Sequence, residues 1–110
     1  VATAERLAAQ FEPLSAHARV RHVRRQGMVF AWDVLSSLPD FGRRYARHAL
    51  AQGLVLRPIG HTLYAMPPYV IDEAEGEWLA RGALAALQAT LAEEEAGARP
   101  VGMAEVRDGV

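Results

Sequence analysis

The chain has 110 residues, of which 51% are hydrophobic and 23% are charged, and its formal net charge is −1. This balance is typical of one globular domain. It excludes a disordered chain and argues against a nucleic-acid-binding domain, which usually carries a basic excess. Cysteine is absent, which excludes disulfide bonds, a catalytic thiol and thiolate metal ligands.

The first predicted element is a helix from Ala4 to Leu14. Leu7, Phe11 and Leu14 recur at spacings of four and three, which is the spacing of one helix face. Thr3 precedes the helix and is available as its N-cap. We expect the apolar face to be buried.

The segment Val20–Val34 predicts a hairpin of two strands around a two-residue turn at Gln26–Gly27. This register sets Val23 opposite Phe30 and divides the hairpin into an apolar face and a polar face. The residues predicted on the apolar face are Val23, Met28, Phe30 and Trp32. Those predicted on the polar face are His22, Arg24 and Asp33.

A second helix is predicted from Pro39 to about Gln52, since proline is favoured in a first helical turn. Phe41, Tyr45 and Ala49 follow at steps of four and define its buried face. Gly53 is a natural stop, because glycine readily takes the left-handed conformation that ends many helices.

A second hairpin is predicted from strands Leu54–Pro58 and Thr62–Met66, joined by a loop over residues 58–61. In this register Leu56 is opposite Leu63, and Arg57 is opposite Thr62. The register separates an apolar face from a mixed one, which supports it.

The same register sets Arg57 and Tyr64 diagonally on one face, about 7–8 Å apart at the backbone. An arginine offers a planar fork of donors that matches both oxygens of a carboxylate. These two residues are therefore candidates for binding a carboxylate ligand. The alternative on residue type alone is that Arg57 pairs with a surface acid and Tyr64 is a packed aromatic with a hydrated hydroxyl.

The last predicted element is a helix from about Glu73 to Glu94. Asp72 and Glu75 have the spacing of a capping box, in which each side chain accepts a hydrogen bond from the other residue's backbone N–H. Its predicted buried stripe comprises Leu79, Ala83, Leu87 and Leu91. The acidic run at residues 93–95 opposes the helix dipole, so we expect that end to fray.

These elements predict the α+β class, with a small, mostly antiparallel sheet and helices packed on one face. We expect a domain over residues 1–95 and a flexible C-terminal tail over residues 96–110. The uncovered sheet face predicts self-association of the isolated chain.

Two stretches carry a resemblance to a known family. The run LRPIGHTLYAMPPYVI (residues 56–71) and the stretch VRHVRRQGMVFAWDV (residues 20–34) resemble adenosylmethionine-8-amino-7-oxononanoate aminotransferases. These enzymes are class III, pyridoxal-phosphate-dependent aminotransferases of fold type I. The resemblance covers roughly residues 5–92 and matches the C-terminal small domain of the family.

The resemblance implies an activity and its partners. The family transfers the amino group of S-adenosylmethionine to 8-amino-7-oxononanoate, giving 7,8-diaminononanoate in biotin biosynthesis. The arginine at the position of Arg57 contacts the substrate carboxylate, and the tyrosine at the position of Tyr64 lines the same pocket. Family members are homodimers, and we expect a cytoplasmic location.

The arginine count bears on the cofactor. All twelve Lys+Arg residues are arginine, whereas such an aminotransferase needs a lysine for pyridoxal phosphate. We therefore expect a fragment, inactive alone, with no catalytic or cofactor-binding residue in this segment. The cofactor would be bound by the absent large domain that precedes it in the family.

Other functions stay open as alternatives. The chain could be the small domain of another class III aminotransferase, or a free-standing small α+β ligand-binding module. The four histidines do not pair at i+3 or i+4, so we predict no metal site. The arginines of the first hairpin are balanced by acidic residues elsewhere, so we predict no nucleic-acid partner. No apolar run of about 20 residues is present, so we predict no membrane partner, and no signal peptide is visible.

Overall fold

The computed structural model describes residues 2–56, 58–68 and 70–98. The helices are α1 (Ala2–Gln10), α2 (Glu12–Ser15), α3 (Phe41–Ala51) and α4 (Glu73–Ala98), and the strands are β1 (Val20–Gln26), β2 (Val29–Val34) and β3 (Thr62–Ala65). The strands form an antiparallel sheet in the order β1-β2-β3. The predicted α+β class is confirmed.

The predicted first helix is divided into α1 and α2 at Phe11. Pro13 lies in the first turn of α2 and has no backbone N–H, so an unbroken helical ladder cannot pass through it. Leu7, Phe11 and Leu14 are buried, as predicted. The N-cap prediction for Thr3 is wrong, because this residue lies inside α1.

The turn between β1 and β2 lies one residue later than predicted. Gln26 pairs with Val29, so the turn residues are Gly27 and Met28, and Gly27 has a φ of 60°. Glycine takes this left-handed conformation without steric cost, which favours it at the first turn position.

A β-bulge in β1 overturns one predicted side-chain position. The register shifts between Arg21 and Arg24, and His22 has a φ of 53°. A bulge changes the direction in which neighbouring side chains point. Val23 is therefore 49% exposed instead of buried in the core, whereas the predicted burial of Phe30 and Trp32 is confirmed.

Helix α3 has the predicted buried face of Phe41, Tyr45 and Ala49. It begins at Phe41, two residues after Pro39. Gly53 follows the helix with a φ of 83°, which confirms its predicted role as a stop.

The predicted second hairpin is wrong. Among residues 54–56 and 58 none belongs to a strand, and β3 pairs with β2 instead, with Trp32 opposite Leu63 and Asp33 opposite Thr62. Leu54 is buried against α4, where a Cβ on Gly82 would lie 2.6 Å from its Cδ1 atom. The segment that begins at Leu54 therefore packs on α4 instead of joining the sheet. Its link to β3 is the bridge between Ile59 and Thr62.

Thr62 bridges Ile59 and pairs with Asp33, and the predicted pairing of Arg57 with Thr62 falls on a residue outside the described part of the chain. The tight turn between Ile59 and Thr62 contains Gly60, whose φ is 61°. Arg57 itself lies outside the described residues.

The start of α4 is as predicted. Asp72 Oδ1 accepts a hydrogen bond from the Glu75 N–H at 2.7 Å, and Glu75 Oε1 accepts one from the Asp72 N–H at 3.0 Å. Ala83, Leu87 and Leu91 are buried, and Leu79 packs against the core while partly exposed.

The end of α4 differs from the prediction. The helix continues to Ala98, since Glu93 and Glu94 are paired with basic side chains instead of facing the helix dipole alone. Residues 96–98 of the predicted tail thus belong to α4, and residues 99–110 lie outside the described part of the chain. The division into a domain and a tail at residue 95 stays a prediction.

The core lies between the helices and one face of the sheet. From the sheet it takes Val20, Phe30, Trp32, Val34, Leu63 and Ala65. Phe11 contacts both central aromatics, with ring centroids 5.1 Å from Phe30 and 4.8 Å from Trp32. The inner face of the sheet is therefore covered, and the outer face carries the polar side chains described next.

Candidate functional site

Tyr64 lies on the outer face of the sheet. Residues of β3 alternate, so Leu63 and Ala65 point into the core while Tyr64 is only half-buried. Tyr64 pairs with Ala31 of β2, and Ala31 pairs with Arg24 of β1. These three residues form one row across the sheet, in which the small alanine separates the phenol from the guanidinium.

A polar network occupies the same face beside Tyr64. Arg24 donates two hydrogen bonds to the carboxylate of Asp33, at 3.1 and 3.2 Å. Thr62 donates a third from its hydroxyl at 2.8 Å. Such paired, charge-assisted bonds fix the geometry of both side chains.

The two charges of this network balance each other. The hydrogen bond to Asp33 raises the pKa of Arg24, to which the Tyr64 phenol adds a smaller effect. The bonds from Arg24 and Thr62 lower the pKa of Asp33. The charge of Arg24 is already neutralised by Asp33, so Arg24 does not supply the cation for a ligand carboxylate. The network instead fixes the positions of the polar side chains on the outer face of the sheet.

Arg57 lies outside the described residues, whereas its sequence neighbours Leu56 and Pro58 are described. Leu56 and Pro58, on either side of it, line one small cleft together with Tyr64. Leu56 and Pro58 therefore lie near Tyr64, although neither belongs to a strand. The assignment of Arg57 and Tyr64 to one carboxylate site stays a prediction.

Tyr64 also lines an apolar groove of about 510 Å³. The walls come from the segment before residue 57, the end of β3 with the following prolines, and the first turns of α4. Its main apolar residues are Val55, Leu56, Met66, Pro67, Ile71 and Trp78. Glu75 is also part of the lining, so the groove is apolar with a carboxylate among its residues.

Sequence reasoning missed this groove and Trp78. Trp78 lies close to Gly53, where a Cβ would be 3.2 Å from the indole. A usable signal was present, because Trp78 lies beside the predicted stripe through Leu79 on an otherwise polar part of α4. An exposed tryptophan on a helix is an unusual choice for a purely solvated surface.

The residues present do not fit pyridoxal phosphate as a complete cofactor site. The chain contains no lysine to form the covalent link, and its cationic side chains are arginines and histidines. We therefore assign no step of cofactor chemistry to this chain.

Two further findings concern the described residues alone. No group of three or more histidine, aspartate or glutamate side chains within 2–56, 58–68 and 70–98 is placed to hold a metal ion. Nor does any helix in this part of the chain have the length and apolar character needed to cross a membrane.

Two curated proteins are similar to the chain in sequence. The adenosylmethionine-8-amino-7-oxononanoate aminotransferase of Synechococcus elongatus is 38% identical over 68 residues, covering 58% of this chain and 16% of that protein. The enzyme of the same name from Helicobacter pylori is 37% identical over 65 residues, covering 58% of this chain and 15% of that protein. The chain thus spans 15–16% of the length of these relatives. No family model matches it.

Solved transaminase structures share the fold. The omega transaminase from Pseudomonas jessenii in complex with PMP matches 87% of this chain and 23% of its own, with a TM-score of 0.75 and 21% identity. The PMP-bound aminotransferase from Vibrio fluvialis matches 82% of this chain and 22% of its own, with a TM-score of 0.72 and 19% identity. At such identities the likeness shows the fold alone.

The sequence similarity and the shared fold agree with each other. The chain resembles adenosylmethionine-8-amino-7-oxononanoate aminotransferase in sequence and has the fold of one part of a transaminase chain, as the sequence predicts.

Proposed function

We propose that this chain is the C-terminal part of an aminotransferase that transfers the amino group of S-adenosylmethionine to 8-amino-7-oxononanoate in biotin biosynthesis. The observation that carries the proposal is the 37–38% identity to two curated aminotransferases of that name. The shared transaminase fold supports it. The complete enzyme would be a homodimeric, cytoplasmic protein.

In this proposal the chain contributes recognition of the keto-acid substrate. Arg57 binds the carboxylate of 8-amino-7-oxononanoate, since a guanidinium stays charged at any working pH and can donate to both oxygens. Tyr64 lines the same pocket and adds a hydroxyl donor. The hydrogen bonds among Arg24, Asp33 and Thr62 fix the side chains beside Tyr64 on the outer face of the sheet.

Pyridoxal phosphate would be held by another part of the complete enzyme. This follows from the absence of lysine in the chain. The cofactor supplies the electron sink for moving the amino group, and the lysine that binds it belongs to the same missing part.

The test uses the longer protein, meaning the product of an open reading frame that contains this segment. Arg57→Ala should raise the KM for 8-amino-7-oxononanoate by about tenfold to 150-fold, because one charge-assisted contact contributes about 1.5–3 kcal/mol. Tyr64→Phe should raise it less, because it removes one neutral hydroxyl.

Arg81→Ala is the matched control. Arg81 lies on α4, is largely exposed and pairs with Glu77 one helical turn away, so its loss should leave the KM unchanged. An unchanged KM in Arg57→Ala would remove Arg57 from the substrate site. If the gene instead starts just before the codon for Val1, the chain is a free-standing module and the proposal fails.

A second test uses the 110-residue chain itself. With no lysine present, mixing it with pyridoxal phosphate should give no stoichiometric change in the absorbance spectrum of the cofactor. A saturable band with one cofactor per chain would show that this segment binds the cofactor, contrary to the proposal.

A further inference from the structure

Ala31 is buried although it lies on the outer face of the sheet. Its neighbours Phe30 and Trp32 belong to the core beneath the sheet, and Ala31 alternates with them. Ala31 is nevertheless only 6% exposed. It pairs with Tyr64 on one side and with Arg24 on the other, so these two long side chains shield its methyl group from water.

Arg24 and Tyr64 lie close enough to influence each other. Their Cα atoms are two strand spacings apart, about 10 Å, and the two side chains extend towards each other above the small Ala31. The hydrogen bond to Asp33 has the largest effect on the raised pKa of Arg24, and the Tyr64 phenol contributes to the same rise. The guanidinium is therefore a direct neighbour of the phenol.

The guanidinium of Arg24 is held on two sides. It donates to both carboxylate oxygens of Asp33, at 3.1 and 3.2 Å, and to the backbone carbonyl of His22 at 2.7 Å. His22 is the bulge residue with a φ of 53°, a conformation that few side chains adopt without cost. The bulge thus presents its carbonyl to Arg24, and the guanidinium has a fixed position beside Tyr64.

The chemistry of the two groups sets the direction of the Tyr64 hydroxyl. A guanidinium has five N–H donors and no acceptor, whereas a phenol can both donate and accept. Towards Arg24 the phenol therefore presents its oxygen. Its proton is directed away from Arg24 and is free to be donated to an acceptor such as a carboxylate.

We propose that Arg24 is a positioning residue for the keto-acid substrate, which it serves by directing the hydroxyl proton of Tyr64 at the substrate carboxylate. This role rests on the proposed function, in which Tyr64 lines the carboxylate site. Arg24 itself stays paired with Asp33 and does not touch the substrate. If the pair of Arg24 and Asp33 only joined β1 to β2, its effect on substrate binding would not depend on the Tyr64 hydroxyl.

A double-mutant cycle in the longer protein separates these two roles. The KM for 8-amino-7-oxononanoate is measured for Arg24→Gln, for Tyr64→Phe and for the double variant, with Arg81→Gln as the matched control. Arg81 also pairs with a carboxylate, that of Glu77, but lies on α4. Circular dichroism and thermal unfolding establish that each variant is folded.

Arg24→Gln should raise the KM by about threefold to tenfold, and by no more than Tyr64→Phe does, because it acts through the Tyr64 hydroxyl. In the Tyr64→Phe background it should change the KM by less than about 1.5-fold. The kcat should stay within about twofold, and Arg81→Gln should change neither value. Asp33→Asn, which keeps Arg24 but weakens its anchor, should follow the same pattern.

An equal rise of the KM in both backgrounds would overturn the positioning role, as would an unchanged KM in Arg24→Gln with Tyr64 in place. Either result leaves the proposed function intact. The proposed function fails separately, if the longer protein transfers no amino group from S-adenosylmethionine to the keto acid.

Discussion

The two ends of α4 differ in the contacts that the side chains around them make. At its C-terminal end, Glu93 binds Arg44 of α3 at 2.6 Å and also contacts His48, and Glu94 binds Arg19 at 2.5 Å. We call this cluster the ionic end. At the N-terminal end the groove residues Val55, Met66 and Trp78 face outward without cover from the described chain, and we call this the apolar end.

The difference shows which of the two surfaces has its contact partners within the described chain. Each acid of the ionic end has partners within the chain, and Glu94 also accepts hydrogen bonds from the Ser36 hydroxyl and the Ser37 backbone N–H. The apolar end has a formed shape but no such partners. The ionic end therefore links α4 to α3 and to Arg19, whereas the apolar end is left exposed by the described residues.

The largest expected effect comes from comparing the two tryptophans. Trp32 is 2% exposed, packs on Phe11 and donates to the Ser15 hydroxyl, so Trp32→Ala should lower the free energy of unfolding by about 3–5 kcal/mol. Trp78→Ala should cost less than about 1 kcal/mol in the 110-residue chain. Urea unfolding followed by circular dichroism measures both, and equal losses would show that the apolar end is part of the core.

Two glycines of α4 provide a second comparison. A Cβ on Gly76 would lie 2.2 Å from Gln10 Oε1 and 2.9 Å from the buried Leu7, so Gly76→Ala should destabilise the fold by about 1–2 kcal/mol. Gly97 has no atom within 4 Å of such a Cβ, and Gly97→Ala should stabilise by up to about 1 kcal/mol through helix propensity. If both substitutions stabilise, α1 does not pack closely on α4.

The ionic end predicts a loss of stability in acid. Hydrogen bonds from His48 and Arg44 lower the pKa of Glu93, and hydrogen bonds from Arg44 and Arg43 lower the pKa of Asp40 from 3.8 to about 2. A carboxyl whose pKa is lowered in the folded state stabilises the fold above its ordinary pKa, and this contribution is lost as the pH falls through the folded value. The free energy of unfolding should thus decrease as the pH falls from about 4.5 towards 2.

Glu93→Gln isolates this contribution. It should lower stability at pH 7 by up to about 1 kcal/mol and reduce the acid-dependent loss, because the charge that titrates is gone. Glu77→Gln, which removes only an exposed pair with Arg81, is the control and should leave the pH profile unchanged. Identical pH profiles for the Glu93 variant and the unaltered chain would contradict the role given to the ionic end.

The smallest expected effect is at the apolar end. Val55→Ser should change the free energy of unfolding of the 110-residue chain by less than about 0.5 kcal/mol, since the side chain is almost fully exposed. It should also reduce any self-association seen by light scattering. A loss above 1 kcal/mol would mean that Val55 already packs within the chain.

The helices were predictable from the sequence because they depend on local signals. The stripes through Phe11, Tyr45 and Leu87 have helical spacing, and the cap by Asp72 and Glu75 needs only residues three apart. The partner of β3 was not predictable in this way. The strand pairs with β2, about thirty residues earlier, while Leu54 packs on α4, and neither contact has a local signature in the sequence.

The candidate site was predictable only in part. The alternation of β3 correctly separates Tyr64 from the buried Leu63 and Ala65. The predicted common face of Arg24 and Asp33 is confirmed by their hydrogen bonds, whereas no residue pattern indicates the bulge between Arg21 and Arg24. Self-association of the isolated chain is predicted from an uncovered sheet face. That face carries a polar network, whereas the exposed apolar surface lies in the groove, so the groove is the surface through which we expect the chain to self-associate.

Following the transferred amino group is the most direct test of the proposed function. The longer protein is incubated with pyridoxal phosphate, 8-amino-7-oxononanoate and S-adenosylmethionine labelled with ¹⁵N at its α-amino group, and the product is analysed by mass spectrometry. We expect 7,8-diaminononanoate carrying one ¹⁵N, formed much more slowly in Arg57→Ala at low keto-acid concentration. Absence of the labelled diamine, under conditions in which the protein transfers amino groups between other substrates, would contradict the proposed function.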